Sequence, residues 1–295
     1  MKYKFISDHE EYPVARWVKI LKASKSGYYA YMERRERREK EKEATKKAIK
    51  KIFDDSGGTY GPGRICGELR KRGEKASYER ISGYMAEMGL SSVHNRHRTR
   101  SLTDSSKARG EGYPNLVKGQ IFDKPYQAAC SDITYLKSGE GWLYLCKVKD
   151  IVTGEILGES YSDNMKKEIV MKAFLNAHAR HRLPKGLIFH ADRGSQYTSK
   201  AVKELMELYG IKQSFSRIGM PGDNAWAESF FATLKKECIH FRHFETREEL
   251  KSTVFEWIHS FYNTRRIQKR LGYLSPRDYA MSLLNKNEKD VLEVA

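Results

Sequence analysis

From residue 121 the chain changes period, and that change limits its possible folds more than any other feature. Ala128, Cys130, Asp132 and Thr134 alternate with Ala129, Ser131, Ile133 and Tyr135, the two-residue rhythm of a strand. Residues 142–148 read as a second strand and 155–160 as a third, parted by glycine-containing turns at 138–141 and 153–154. Residues 165–181 then become helical, with Ile169, Ala173, Phe174 and Ala177 on the inner face. A short apolar strand at 186–190 runs out at Asp192, and a helix at 199–209 leads to a fifth strand at 211–215. Two more helices follow, one at 224–237 and a last one opened by the capping box of Thr246 and Glu249.

Three antiparallel strands followed by helix, strand, helix, strand is the order of an RNase H-like fold. That is an α/β architecture, a mixed five-stranded sheet with flanking helices. Upstream the sequence reads as all-α. Val14, Trp17, Val18 and Leu21 recur at helical spacing before a Ser/Gly turn at 24–27. Residues 33–51 hold ten Lys/Arg and five Glu and read as a solvated connecting helix. Residues 59–90 carry two apolar stripes, Ile65 with Leu69 and Ile81 with Met85 and Met88, around a turn at 73–76. Ser77 can cap the second of these helices. This is helix-turn-helix geometry, with Tyr78, Glu79, Arg80, Ser82 and Tyr84 facing outward. The expected organisation is an N-terminal helical DNA-binding region at 1–56, a helix-turn-helix module at 57–92, a basic linker at 93–120, a catalytic core at 121–263 and a basic C-terminal tail at 264–295.

The charge balance speaks to partners. The 55 Lys and Arg outnumber the 38 Asp and Glu, for a net charge of +17, which points to a polyanion, nucleic acid first. No apolar run approaches the roughly 18 residues of a membrane span, and 1–13 lacks the apolar stretch of a secretory signal. A cytoplasmic location and no membrane partner are expected. Cys66, Cys130, Cys146 and Cys238 are scattered without a CxxC pair and read as reduced, buried thiols.

Three acids carry the chemistry. Asp132 lies mid-strand, where an unpaired carboxylate is costly to bury, and Asp192 follows the buried fourth strand. In this strand order the two neighbour each other. A loop with Gly219, Pro221 and Gly222, then a cap at Asp223 or Asn224, introduces a helix that places Glu228, Phe231 and Lys235 on one face. Crowded carboxylates raise one another's pKa unless a cation neutralises them, and an all-oxygen set suits Mg²⁺ or Mn²⁺. Two such ions would serve an in-line phosphoryl displacement.

The chain resembles the second-frame (OrfB) part of bacterial transposases of the "insertion sequence three" family, integrase-like enzymes with a DDE triad. SDITYL at 131–136, HADRGSQYTS at 190–199 and DNAWAESFFATLKKE at 223–237 are similar to its three acidic blocks, with 35 residues between Asp192 and Glu228. YNTRRIQKRLGYLSPRDY at 262–279 is similar to its closing segment, and SKSGYYAY at 24–31 to its N-terminal motif. The resemblance implies that Asp132, Asp192 and Glu228 form the catalytic, metal-binding triad and that Lys235 contacts terminal DNA. It implies that Ser195, Gln196 and Tyr197 shape a loop. It also implies cleavage at element ends, joining of the freed 3′ end, first to the opposite end of the same element, and a bacterial, nucleoid-associated setting.

Two departures stand out: Ala129 replaces a usual tryptophan, and Gly61-Pro62-Gly63-Arg64-Ile65 replaces a usual Gly-Tyr-Arg-Arg-Ile opening. Arg80, Arg96, Arg98, Arg265, Arg266, Lys269 and Arg270 are the further candidate DNA contacts. Double-stranded DNA, a second copy of the chain and the upstream-frame (OrfA) product are the expected partners. A nonspecific RNase H-like nuclease and a catalytically silent DNA-binding inhibitor remain alternatives. His178 and His181, with Cys238, His240 and His243, leave a zinc site open. His190 reads as a satisfied core histidine or as a neighbour of the metal's ligands.

Overall fold

The computed structural model describes residues 1–9, 11–95, 114–217 and 225–294. Arg96, Arg98 and the glycine-containing loop at 219–224 lie outside them. The chain forms two compact units, Met1–Ser92 and Val93–Ala295.

The first unit is helical: α1 (Lys2–Asp8), α2 (Val14–Ile20), α3 (Lys25–Asp55), α4 (Pro62–Lys71) and α5 (Tyr78–Glu87). The turn expected at 24–27 is instead the start of α3. The Ser24 hydroxyl accepts from the Gly27 N–H at 3.2 Å, so the serine caps a helix. Ile65, Cys66, Leu69, Ile81 and Met85 are buried between α4 and α5, and Ser77 caps α5 through the Arg80 N–H. Tyr78, Glu79 and Arg80 face solvent, while Ser82 and Tyr84 are half-buried. Lys42 and Lys46 of α3 converge on Glu87 at 2.9 and 3.0 Å, so that highly charged helix is not solvated all round.

The second unit carries β1 (Ala128–Ser138), β2 (Gly141–Asp150), β3 (Ile156–Ser162), α6 (Lys167–His181), β4 (Ile188–Ala191), α7 (Lys200–Leu208), β5 (Lys212–Phe215), α8 (Ala225–Leu234), α9 (Arg247–Glu256) and α10 (Pro276–Val294). The sheet runs β3-β2-β1-β4-β5, with β1, β2 and β3 antiparallel and β4 and β5 parallel to β1. This is the RNase H-like arrangement that the strand order implies. Strand alternation sorts the side chains into two apolar layers. Ala129, Cys146, Val148, Leu157 and Phe189 pack against Val170, Phe174, Val202 and Met206 of α6 and α7. Leu136, Leu143, Leu145 and Ile156 pack on the other face against Phe230, Phe231 and Leu234 of α8 and Leu250 and Val254 of α9.

The C-terminal stretch differs from the expected basic tail. Ile267, Leu271 and Ala280 are buried, and α10 follows a helix that was expected to be the last. The Asn263 amide bonds both the N–H and the C=O of Ile156 at 2.9 Å, stitching this segment to β3. Among the described residues no helix is long and apolar enough to cross a membrane.

Gly158 shows how closely the layers meet. A Cβ there would lie inside 3 Å of the main chain of Ala173 and Ala177, so only glycine lets α6 sit against β3. Gly158→Ala is expected to cost about 1–3 kcal/mol of stability through overpacking, read from urea unfolding. An unchanged midpoint would contradict this packing.

Candidate active site

β1 and β4 pair Ala128 with Ile188, Ala129 with Phe189 and Cys130 with His190. Carrying that register one step further on the same face sets Asp132 opposite Asp192. Both follow the phase of Cys130 and His190, whose face is covered by α8. Ala227 of α8 is buried with Ala128 and Cys130, which fixes the first helical turn and with it Glu228.

Local hydrogen bonds hold the acids. An Asp132 carboxylate oxygen accepts from the Ile133 N–H at 2.8 Å, and one of Asp192 accepts from the Gly194 N–H at 3.0 Å. A side chain at 194 would press on that same Asp192 oxygen, which explains the glycine. His190 is fully buried, with its two ring nitrogens on the hydroxyls of Ser214 at 2.9 Å and Ser216 at 3.1 Å. It is a satisfied core histidine that braces the end of β4. The Tyr197 hydroxyl meets that of Ser131 at 3.0 Å beneath Asp132, and the Gln196 amide reaches the Met165 carbonyl at 3.0 Å.

Two buried lysines lie under α8, and the sequence reading passed over them. Lys147 pairs across the strands with Asp132, and its ammonium sits 5.3 Å from the centre of the Phe231 ring. The ammonium of Lys149 donates to the Trp226 carbonyl at 2.9 Å, and the Ser229 hydroxyl donates to the same carbonyl at 3.0 Å. The signal was available: Lys147 and Lys149 share the phase of Leu143 and Leu145, so both had to point at a helix.

The electrostatics follow from this crowding. Burial pushes the Asp132 carboxyl up to about 6; Lys147 pulls the other way, and the negative charges of Asp192 and, less, Glu228 add to the rise. Burial also raises Asp192, against its Gly194 hydrogen bond. Glu228 is solvent-exposed, and its partial burial raises it too. Burial lowers Lys147 and brings Lys149 down to about 8. Asp132, Asp192 and Glu228 therefore share one electrostatic neighbourhood, with only oxygen donors, which suits a hard divalent cation. They do not form a closed cage: among the described residues no three His, Cys, Asp or Glu side chains stand together as a metal-holding group. The same finding leaves no zinc cluster at His178, His181, Cys238, His240 and His243.

The candidate DNA contacts divide. The ammonium of Lys235 lies 5.3 Å from the centre of the Tyr135 ring, at the start of a π-helical turn, Lys235–Ile239, that extends α8. Arg80, Arg265, Lys269 and Arg270 are exposed. Arg266 requires a correction. It is buried, and its guanidinium forks onto the Glu237 carboxylate at 2.7 and 2.8 Å. Glu237 also takes the His94 ring, so Arg266 is an internal tie and not a phosphate contact.

Comparison with known proteins gives the family. Models described as "Integrase core domain" match residues 123–221 and 228–284, and one described as "HTH-like domain" matches 39–98. The transposase for insertion sequence element IS904 of Lactococcus lactis subsp. lactis (strain IL1403) is 37% identical over 241 residues, covering 81% of this chain and 94% of that protein. Transposase InsF for insertion sequence IS3A of Escherichia coli (strain K12) is 33% identical over 295 residues, covering 97% and 99%. A chain in the cryoEM structure of a simian T-cell lymphotropic virus intasome, in complex with PP2A regulatory subunit B56 gamma, is similar at 13% identity and a TM-score of 0.47, covering 79% of this chain and 74% of that one.

The raised Asp132 has a consequence for stability. Its folded carboxyl keeps its proton to about 6 against an ordinary 3.8, so ionising it destabilises the fold, and stability falls as pH rises through that window. In chelator at pH 7.5, Asp132→Asn is expected to gain on the order of 1–2 kcal/mol, with the gain fading as pH falls from 6 to 4. Denaturant melts across that range measure it, and a loss of stability at pH 7.5 would contradict the crowding.

Proposed function

Because this chain belongs to the IS3 family of insertion-sequence transposases, we propose that it binds element ends and carries out Mg²⁺-dependent DNA cleavage and strand transfer through Asp132, Asp192 and Glu228. What supports this reading is the electrostatic coupling of Asp132 to Asp192 and Glu228, its carboxyl pushed to about 6 by burial first, together with a β1–β4 pairing that runs toward both aspartates. A cluster that resists ionisation without a cation is one that a cation stabilises. Asp132, Asp192 and Glu228 would hold one or two Mg²⁺ or Mn²⁺ ions, whose chemistry is Lewis-acid stabilisation of the attacking and leaving oxygens.

The protein's own share is positioning. The strand pairing fixes the two aspartates, the Gly194 and Ile133 N–H groups orient their carboxylates, and Lys149 pins the first turn of α8. Lys235, beside Tyr135 and within electrostatic reach of Asp132, takes the phosphate next to the reacting one. In cleavage, water attacks the phosphorus and the 3′ oxygen departs. In joining, that freed 3′ hydroxyl attacks the phosphorus of a second phosphodiester, gives up its proton, and displaces that linkage's 3′ oxygen, which leaves as a new 3′ hydroxyl. The helix-turn-helix unit, with Arg80 exposed, and Arg265, Lys269 and Arg270 supply contacts to the duplex. Two ends must be held together, so at least a dimer works on DNA, with the OrfA product as a further partner, in the bacterial cytoplasm.

Glu228→Gln is expected to lower both cleavage and joining at least about a hundredfold in Mg²⁺ while leaving DNA affinity within about twofold. A strand-transfer assay on cognate ends, with and without the OrfA product, measures it; full activity in the variant would remove Glu228 from the mechanism. DNA affinity of the wild type is expected to fall steeply with salt, with a negative log–log slope, because bound phosphates release counterions. A flat response in a binding titration would contradict a phosphate-led interface.

A further inference from the structure

Among the described residues β4 pairs with β1 over Ala128–Cys130, and β1 runs on to Ser138. The apolar layer under α6 and α7 takes in Ile133 and Tyr144, and beyond it the β1–β2 hairpin projects past the helices. There Tyr135 is 55% exposed and Trp142 46% exposed. The two rings meet edge to face, 5.1 Å apart at 84°. Neither ring belongs to the apolar clusters formed by the described residues of the sheet and its helices.

The surroundings are basic. Lys137 is cross-strand partner to Trp142, exposed on the same face. Lys235 reaches from α8 to the Tyr135 ring. The Arg247 guanidinium donates to the Trp142 carbonyl at 3.1 Å, which fixes the start of β2. Of the acids near this turn, Glu140 accepts from the Arg247 N–H at 2.8 Å, and Glu245 and Glu248 stand in the segment that meets the turn. Aromatic faces ringed by cations match a base with its phosphates, whereas an apolar protein partner would meet desolvated lysines.

Resting on the function proposed above, we propose that Tyr135 and Trp142, with Lys235 beside them, form a stacking platform for an unpaired nucleobase next to the reacting phosphate. Tyr135 lies on the other face of the sheet from Asp132, and Lys235 over its ring links it to the α8 side. It stands three residues along the strand from Asp132, about 10 Å. That is about three nucleotide steps at a rise of about 3.4 Å. The stacked base thus belongs to the stretch where the strands separate as the 3′ end leaves its partner. Stacking is indifferent to base identity, so the platform opens the duplex at this distance without adding sequence preference.

The test uses the full chain in chelator, so that no chemistry intervenes. Fluorescein-labelled 20-base-pair duplexes are compared, one blunt and one with four unpaired thymidines at a 3′ end, with 5-iodouracil in the overhang for photocrosslinking. The wild type is expected to bind the overhang about tenfold more tightly and to crosslink through Tyr135 or Trp142. Tyr135→Ala with Trp142→Ala is expected to reduce that preference to within about twofold, with blunt-duplex affinity and melting temperature unchanged, and Trp142→Phe to retain it. Equal affinity of the wild type for both duplexes would overturn the proposal, as would preference surviving in the double variant or equal loss on both duplexes. Because binding alone is read, a wild type that keeps the preference yet transfers no strand in Mg²⁺ would defeat the proposed function and leave the platform standing.

Discussion

Burial of a carboxylate inside a strand, at Asp132, is the constraint around which the site in the second unit is arranged, with Asp192 and Glu228 adding lesser repulsion. The parallel pairing of β1 with β4 ends at Cys130 and His190 and points the chain toward Asp132 and Asp192, which the repulsion between their charges links electrostatically. The fold manages the cost without cancelling it. Lys147 offsets part of the charge from below but is itself desolvated between phenylalanine rings. A full ion pair would have lowered Asp132, and instead it rises to about 6. On the proposed function, that unrelieved charge is what a cation would neutralise.

Helix α8 is held to the sheet by identifiable anchors. At its start, the Trp226 carbonyl takes both Lys149 and Ser229. Along its length, Phe230, Phe231 and Leu234 bury against the sheet. At its end, the chain widens into a π turn, a feature often found where a side chain must be aimed, and Lys235 stands at its first residue. Glu237 in the same turn gathers Arg266 and His94, while the Lys236 ammonium bonds the His94 carbonyl at 3.0 Å. The helix that carries Glu228 and Lys235 is thereby tied to the chain segment entering this unit and to the segment leaving α9.

Much of this was legible beforehand, for physical reasons. The period-two alternation at 128–135 and the glycine turns at 138–141 and 153–154 leave few alternatives to a meander, and the acids stand out because strands rarely bury them. Lys147 and Lys149 escaped notice because alternating charge reads as a solvated face, although their phase matched Leu143 and Leu145. Arg266 misled because a basic run looks like a DNA-binding tail; only tertiary contact with Glu237, far upstream, reveals it as internal. Helix α10 was missed for the same reason, since the basic run before it outweighed the apolar signal of Tyr279, Ala280, Leu283 and Leu284. Ser24 was read as a turn residue, although its hydroxyl can equally cap a helix.

The central claim is that Asp132, Asp192 and Glu228 hold a divalent ion together. The most direct measurement is anomalous scattering from crystals of the chain grown with Mn²⁺ and a DNA end. The account predicts manganese density within about 2.0–2.6 Å of carboxylate oxygens from all three residues. Density that leaves Glu228 or either aspartate unligated, or that lies elsewhere on the protein, would contradict it.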